Sequence, residues 1–429
     1  MSKSNRIPRQ TLVLIVVAAL GYFVDIYDLI LFNVVKKESL LALGITDPAQ
    51  IKNISISLFN WQMGGMLLGG LLWGILGDKK GRLKVLFGSI LLYSAANVFN
   101  AFVTDIPSYA MVRFIAGIGL AGELGAGITL VSEVMSKENR GYGTMIIVTF
   151  GALGAVLAAL VGGEGHAIQD VIHRVSGITL ANWQVAYIVG GILGLMLLLL
   201  RLGTLESGMF RNLHQQEVGR GQFLKLFSKK ETAFRYINCI LIGLPVWYAI
   251  GILIALAEDF AGTSVLGITG KVVNGQAVMY AYLGLSAGDL LSGLLSQFWR
   301  SRKKVVLLYL GLCATLTLVY LFFSKGKSAE YFYLICFLVG VATGYWALFV
   351  SIAAEQFGTN IRSTVTSTVP NFVRGAVIPI TGSFRLLEGS LGTVGSALAV
   401  GCVCIGLAAF SMYSLKDTFG KDLDYIETL

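Results

Sequence analysis

Gly74-Ile75-Leu76-Gly77-Asp78-Lys79-Lys80-Gly81-Arg82-Leu83-Lys84 lies between two long apolar runs and packs one acid, spaced glycines and four bases into a short loop. Glycine permits the tight turn, and the acid gives the bases a partner at close range. An ordinary cytoplasmic turn would need the bases for orientation but neither the glycines nor the acid. The stretch therefore reads as a shaped joint between two membrane helices, and the rest of the chain is arranged around it.

Composition agrees. Of 429 residues, 55% are hydrophobic and 13% charged, with a mean hydropathy of +0.74, values outside the range of soluble domains. Twelve apolar runs approach or exceed the ~20 residues that cross a bilayer: 11–35, 54–77, 83–103, 107–135, 140–164, 182–202, 234–258, 276–299, 303–324, 330–356, 364–388 and 392–415. The net charge of +9 does not form a basic face for nucleic acid; the bases sit in short loops. The two ends and the even-to-odd loops hold 23 Lys and Arg against eight in the other loops, which predicts both termini cytoplasmic. The first run is too long for a signal segment and is expected to be retained. Cys239, Cys313, Cys336, Cys402 and Cys404 lie in apolar runs without metal-ligand spacing and read as free thiols.

The polar, basic stretch 203–233 divides the chain into six-span bundles, 1–202 and 234–429, and its Phe223-Leu224-Lys225-Leu226-Phe227 piece is expected along the membrane surface. The halves look related. Glu133 precedes Arg140 by seven residues at the end of span four, and Glu355 precedes Arg362 by seven at the end of span ten. An eroded copy of the joint appears as Gly293-Leu294-Leu295-Ser296-Gln297-Phe298-Trp299-Arg300-Ser301-Arg302-Lys303, with Gln297 in place of the acid. Parallel repeats of this kind suit two halves that rock about a central site.

The joint's pattern, G-x-L-x-D-x-x-G-R-x-K, resembles the loop between the second and third helices of the major facilitator superfamily. Gly21-Tyr22-Phe23-Val24-Asp25-Ile26-Tyr27-Asp28 is similar to the G-x-x-x-E-W-Y-D of that superfamily's metabolite:proton symporters, with Asp25 and Ile26 replacing glutamate and tryptophan. Arg113, Gly117 to Glu123, Glu133 and Arg140-Gly141 resemble a run shared by those symporters and the sugar porters. Gly190 to Gly194, Arg201 and Leu205-Glu206-Ser207 resemble the end of the symporters' sixth helix. The resemblance implies an all-α fold of twelve transmembrane helices and a proton-coupling role for Asp28 with Arg113.

Charges inside spans cost at least ~2.5–3.5 kcal/mol at mid-bilayer and persist only when paired or wetted. Asp28 and Arg113 are each roughly 10 Å below the outer surface at 1.5 Å per residue, and are expected to meet. Asp25 is one turn deeper than Asp28, and Glu123 roughly 15 Å below Arg113; both are rivals to Asp28 for the coupling proton. The alternative is a static cluster that only fixes helix register. The glycines at 117, 119, 122, 125 and 127 are expected to let backbones approach closely. Candidate substrate contacts are Arg113, Arg374, Asp289, Tyr27, Trp247, Tyr248, Tyr345, Trp346 and Asn371, and Pro245 and Pro370 are candidate kinks. Asp78, Arg82, Glu133, Arg140, Glu355 and Arg362 are read as a cytoplasmic gate.

Nothing here suggests an enzyme: no His-x-x-x-His occurs, and His166 and His173 fall in a polar external loop. The expectation is a monomeric plasma-membrane symporter of the bacterial inner membrane. It would import a small polar metabolite, an organic anion or zwitterion, with protons, its only other partner being the lipid bilayer and its only cofactor the coupling proton. A proton-antiport exporter of drugs or siderophores is the first alternative, although no proline or G-x-x-x-G-P run marks span five. A non-transporting receptor is the second.

Overall fold

The computed structural model describes residues 9–80, 82–125, 140–164, 166–177, 179–206, 223–421 and 427. Eight of its helical segments are long and apolar enough to cross a membrane. One of them, Thr364–Ser414, has 51 residues and is two passes joined at Gly392, whose φ of 67° only glycine adopts readily. Span two (Pro48–Lys80), span three (Arg82–Asn100) and span four, which opens with Ile106–Leu120, complete twelve.

Local chemistry places the ends. Asp105 caps span four by accepting from Ser108 N at 2.8 Å, with Pro107 in the first turn where its missing N–H costs nothing. Ser301 and Ser328 cap spans nine (from Arg302) and ten (from Ala329) in the same way. Span one, Arg9–Ala42, and span five, Arg140–Glu164, are unbroken; span six is Asn182–Glu206 and span eight Asn274–Phe298.

Within the first half, span one packs on five, and span three on four and six; within the second, eight packs on ten, and twelve on seven and nine. The halves meet where span two crosses eleven and span five crosses eight, related positions in the two repeats. Glycine makes the crossings close. A Cβ at Gly117 would strike the Gln62 backbone of span two, at Gly119 and Gly122 the residues Tyr93 and Ser89 of span three, and at Gly125 the Ser367 backbone of span eleven. Gly127 lies outside the described residues.

Of the expected kinks, the one at Pro245 is met and the one at Pro370 is not, and a third break was not expected. Span seven is interrupted at Gly243, with Pro245 in the first turn of the helix that follows, and then runs as a π segment over Ala249–Ile254. Pro370 lies inside Thr359–Gly375; span eleven breaks later, at Ala376. Span ten, read as one run, is two helices, Ala329–Thr343 and Trp346–Gln356. The 166–176 segment, expected as a loop, is the helix His166–Ser176. Residues 223–227 do not simply lie along a surface. Leu224 is exposed, but Leu226 is buried and Phe223 packs on Tyr236 and Phe372.

Candidate functional site

The two halves bury four acidic and two basic side chains of the expected site, Glu123 among them, and each has a distinct environment. Asp25, Asp28, Arg113, Asp289 and Arg374 are all within 1% of complete burial. Span one contributes both Asp25 and Asp28, three residues apart on one helix face.

Arg374, at the end of the first helix of span eleven, faces across to Asp25, with Nη2 3.8 Å from Oδ2. Its Nη1 donates to Asn371 Oδ1 at 3.2 Å, whereas Nε and Nη2 make no hydrogen bond. Trp247 and Trp346 flank it at 6.0 and 5.9 Å from the guanidinium carbon, and their rings meet edge to face. Trp346 Nε1 donates to Tyr22 OH at 3.1 Å, and Asn371 Nδ2 to Ala121 O at 2.9 Å, so both residues join the halves. This group, with an arginine, a carboxylate and two indoles, stands at the interface of the bundles.

Arg113 is different. Its Nη2 donates to Gln62 Oε1, its Nη1 reaches Tyr187 OH at 3.4 Å, and its guanidinium lies 4.6 Å over Phe32. Tyr187 OH in turn shares a 2.8 Å hydrogen bond with Tyr109 OH, which donates to Ser39 Oγ. All of these belong to the first half. Asp28 stands against Asn97 and Gly190 within Arg113's electrostatic reach, yet the two make no ion pair, contrary to the expected meeting. Gln62 and Tyr187 hold the arginine instead.

Glu123 is fully engaged. Both of its oxygens accept from Arg201 of span six, Oε2 from Nη1 at 2.9 Å and Oε1 from Nη2. Gly21 leaves the room for this bidentate pair, since a Cβ there would strike both partners. Three further candidates point away from the interface: Tyr27 OH donates to Ala186 O, Tyr248 OH to Ala397 O and Tyr345 OH to Ile242 O, each within its own half. Asp289 faces the start of the second helix of span ten, accepting from Ala347 N at 2.9 Å. The residues that sequence reasoning missed are Gln62, Tyr187, Asn97, Tyr22 and Arg201; only Arg201, a base inside an apolar run, carried a signal that pointed to a buried pair.

Other contacts also join the halves. On the expected external face Lys36 Nζ donates to Ala255 O at 2.5 Å, Lys37 pairs with Glu258 at 2.9 Å, and Lys52 pairs with Glu388 at 2.6 Å. Burial pushes the nearby Asp259 carboxyl above its ordinary range, while Lys36 and Lys52 draw it down. At mid-membrane, three residues from Asp289, Ser286 Oγ donates to Thr149 O at 2.9 Å.

Of the expected cytoplasmic gate, Glu133 and the side chains of Asp78, Arg82 and Arg140 lie outside the described residues. In the second half Glu355 does not pair with Arg362. It takes Arg302, from the eroded joint, at 3.2 Å and accepts from Thr418 Oγ1 at 2.7 Å, while Arg362 donates to the carbonyls of Ala354 and Phe357. Among the described residues no cluster of His, Cys, Asp and Glu could hold a metal.

Residues 18–382 match the model of the Major Facilitator Superfamily. The chain is 28% identical over 360 residues, 82% of this chain and 83% of the relative, to the 3-(3-hydroxy-phenyl)propionate transporter of Escherichia coli K12. It is 26% identical over 331 residues, 70% of each chain, to the niacin transporter of Acinetobacter baylyi. The fold is similar to that of the proton:xylose symporter XylE, with a TM-score of 0.68, 16% identity and coverage of 96% of this chain and 97% of the other.

Proposed function

This chain belongs to the major facilitator superfamily, and on that premise we propose that it imports a small organic anion together with a proton, by alternating access. Family membership makes it a multi-pass membrane transporter of small molecules and not an enzyme. The observation that carries the finer reading is Arg374, buried between the halves and walled by two indoles, with two nitrogens free of hydrogen bonds and a loose ion pair to Asp25. A carboxylate would take two parallel hydrogen bonds from such a guanidinium, and flat indole walls suit a ring attached to it. The named cargoes of two relatives, a hydroxyphenyl propionate and niacin, each join a ring to a carboxylate.

Charge balance supports the coupling. Glu123 and Arg201 neutralise one another, and Asp289 is met by helix N–H groups, so Asp25 and Asp28 remain against Arg113 and Arg374. Taken without Asp289, these four side chains sum to zero formal charge when both carboxylates are ionised. An anion that takes Arg374 displaces Asp25 and leaves one negative charge too many in a dry interior, where an uncompensated charge is costly. One proton restores the balance. Asp28, which has no ion-pair partner among the described residues, is the group to accept it, and Asp25 would lean on Arg113 instead. The reading thus gives one proton for each monoanion. Release to the cytoplasm reverses both steps, with the halves 1–202 and 234–429 rocking about the cluster and 203–233 linking them. The excess of bases on the end loops supports cytoplasmic termini in a bacterial inner membrane, and the transporter is read as a monomer.

Uptake into proteoliposomes with an imposed proton gradient tests this. Accumulation of a ring carboxylate such as 3-hydroxyphenylpropionate or nicotinate, driven by an acidic exterior, is expected. Extrusion under the same gradient would make the protein an antiporter, and binding without movement a receptor.

A further inference from the structure

Span ten breaks in mid-membrane, and a break there exposes backbone groups that hydrocarbon cannot satisfy. Gly344 (φ −75°, ψ 50°) and Tyr345 (φ −118°, ψ 16°) leave the helical region, and a new helix starts at Trp346. Its first amides need acceptors. Asp289 of span eight supplies one, with Oδ1 2.9 Å from Ala347 N and Trp346 N facing the same carboxylate. The approach is set by the residue before it. Gly288 touches Gly344, and a Cβ on either would run into the other's backbone, so span eight lies against the break and puts Asp289 at the new N-terminus.

We propose that Asp289 is a positioning residue, which caps the second helix of span ten and thereby aims Trp346 at Arg374 and at Tyr22 of the other half. Trp346 is the first residue of the capped helix, so its direction follows from where that helix starts. From there its ring stands 5.9 Å from the Arg374 guanidinium, and its Nε1 reaches Tyr22 OH at 3.1 Å. Asp289 touches neither group through a hydrogen bond; Oδ2 makes none at all. It acts on the cargo site through span ten, as an acceptor and not as a charge.

An acceptor role and a charge role separate cleanly, because asparagine caps helices about as well as aspartate and carries no titratable group. Protein labelled with 5-fluorotryptophan is purified, and the Trp346 resonance is identified as the one lost in Trp346→Phe. Asp289→Asn is expected to keep that resonance, the uptake pH profile and a KM within about threefold of the wild type. Asp289→Ala is expected to shift or broaden the resonance and raise KM by about tenfold or more. An Asp289→Ala resonance that stays in place overturns the proposal. So does an Asp289→Asn variant that keeps the resonance but loses uptake or its pH profile, since that would make the carboxylate's charge the function. Should Asp289→Ala not fold, the asparagine arm decides alone. The transport arms rest on the symport reading, whereas the fluorine resonance does not. Failure of that reading would appear as absent uptake in the wild type with the resonance shifts intact.

Discussion

The two fully buried arginines show how differently one fold can use the same side chain. Arg113 sits inside one bundle with Gln62, Tyr187 and the Phe32 ring around it, a cage that meets both terminal nitrogens and leaves only Nε without a hydrogen bond. Arg374 sits between the bundles with two indoles, one asparagine and a distant carboxylate, and keeps two nitrogens unused. A buried donor left unmade is costly, which is why the proposed reading gives Arg374 to the cargo. In the proposed reading, position relative to the interface, more than residue type, separates the arginine that holds a half together from the one assigned to the cargo.

The largest effect tests a third pair against both. Glu123 and Arg201 are a bidentate, buried pair within one half, and removing one partner strands the other. Glu123→Ala is expected to cost about 3–5 kcal/mol of stability, read as a lower melting temperature in detergent. A stable variant with altered proton dependence would instead make Glu123 a rival proton carrier. Next, Arg374→Lys should weaken binding of the ring carboxylate by about tenfold or more, the scale of one charged hydrogen bond, because lysine cannot present two parallel donors. Arg113→Lys should leave that affinity within about threefold, given that its work is done inside the cage. Equal losses in equilibrium titrations would erase the distinction between the two sites.

A smaller effect, with the opposite sign, is expected at Asp25. Asp25→Asn removes the cargo's competitor for Arg374, so the anion should bind a few-fold more tightly near neutral pH, the buried pair being loose at 3.8 Å. In the wild type, binding should strengthen as pH falls, because anion uptake draws a proton, and the asparagine should flatten that trend. Weaker binding in Asp25→Asn would mean that the carboxylate helps to hold the cargo. Least of all, Lys37→Ala removes a pair whose lysine side chain is 59% exposed and should leave both affinity and melting nearly unchanged.

Much of this was legible in the sequence, for reasons that differ by residue. The twelve passes were visible because hydrocarbon imposes its length on every run, and the buried charges because each stands alone in an apolar background. Of the residues read as substrate contacts, Trp247, Trp346 and Asn371 surround Arg374, while Tyr27, Tyr248 and Tyr345 donate to carbonyls within their own halves. Depth along a helix can be counted from sequence, but the face that turns to the other bundle cannot. Gln62 and Tyr187 were missed because a neutral polar residue inside a span gives no sign of which charge it will hold. The break in span ten was missed for a similar reason: Gly344 is one glycine among 52, and only its contact with Gly288 distinguishes it.

The central claim is that cargo on Arg374 obliges Asp28 to take a proton, and one comparison in proteoliposomes tests it most directly. Asp28→Asn holds the position in its proton-loaded form, so exchange of labelled ring carboxylate between equal compartments should proceed near the wild-type rate. Accumulation under an imposed proton gradient should be lost. If Asp28→Asn still concentrates the anion against its gradient, the coupling proton is not carried there and the account is wrong.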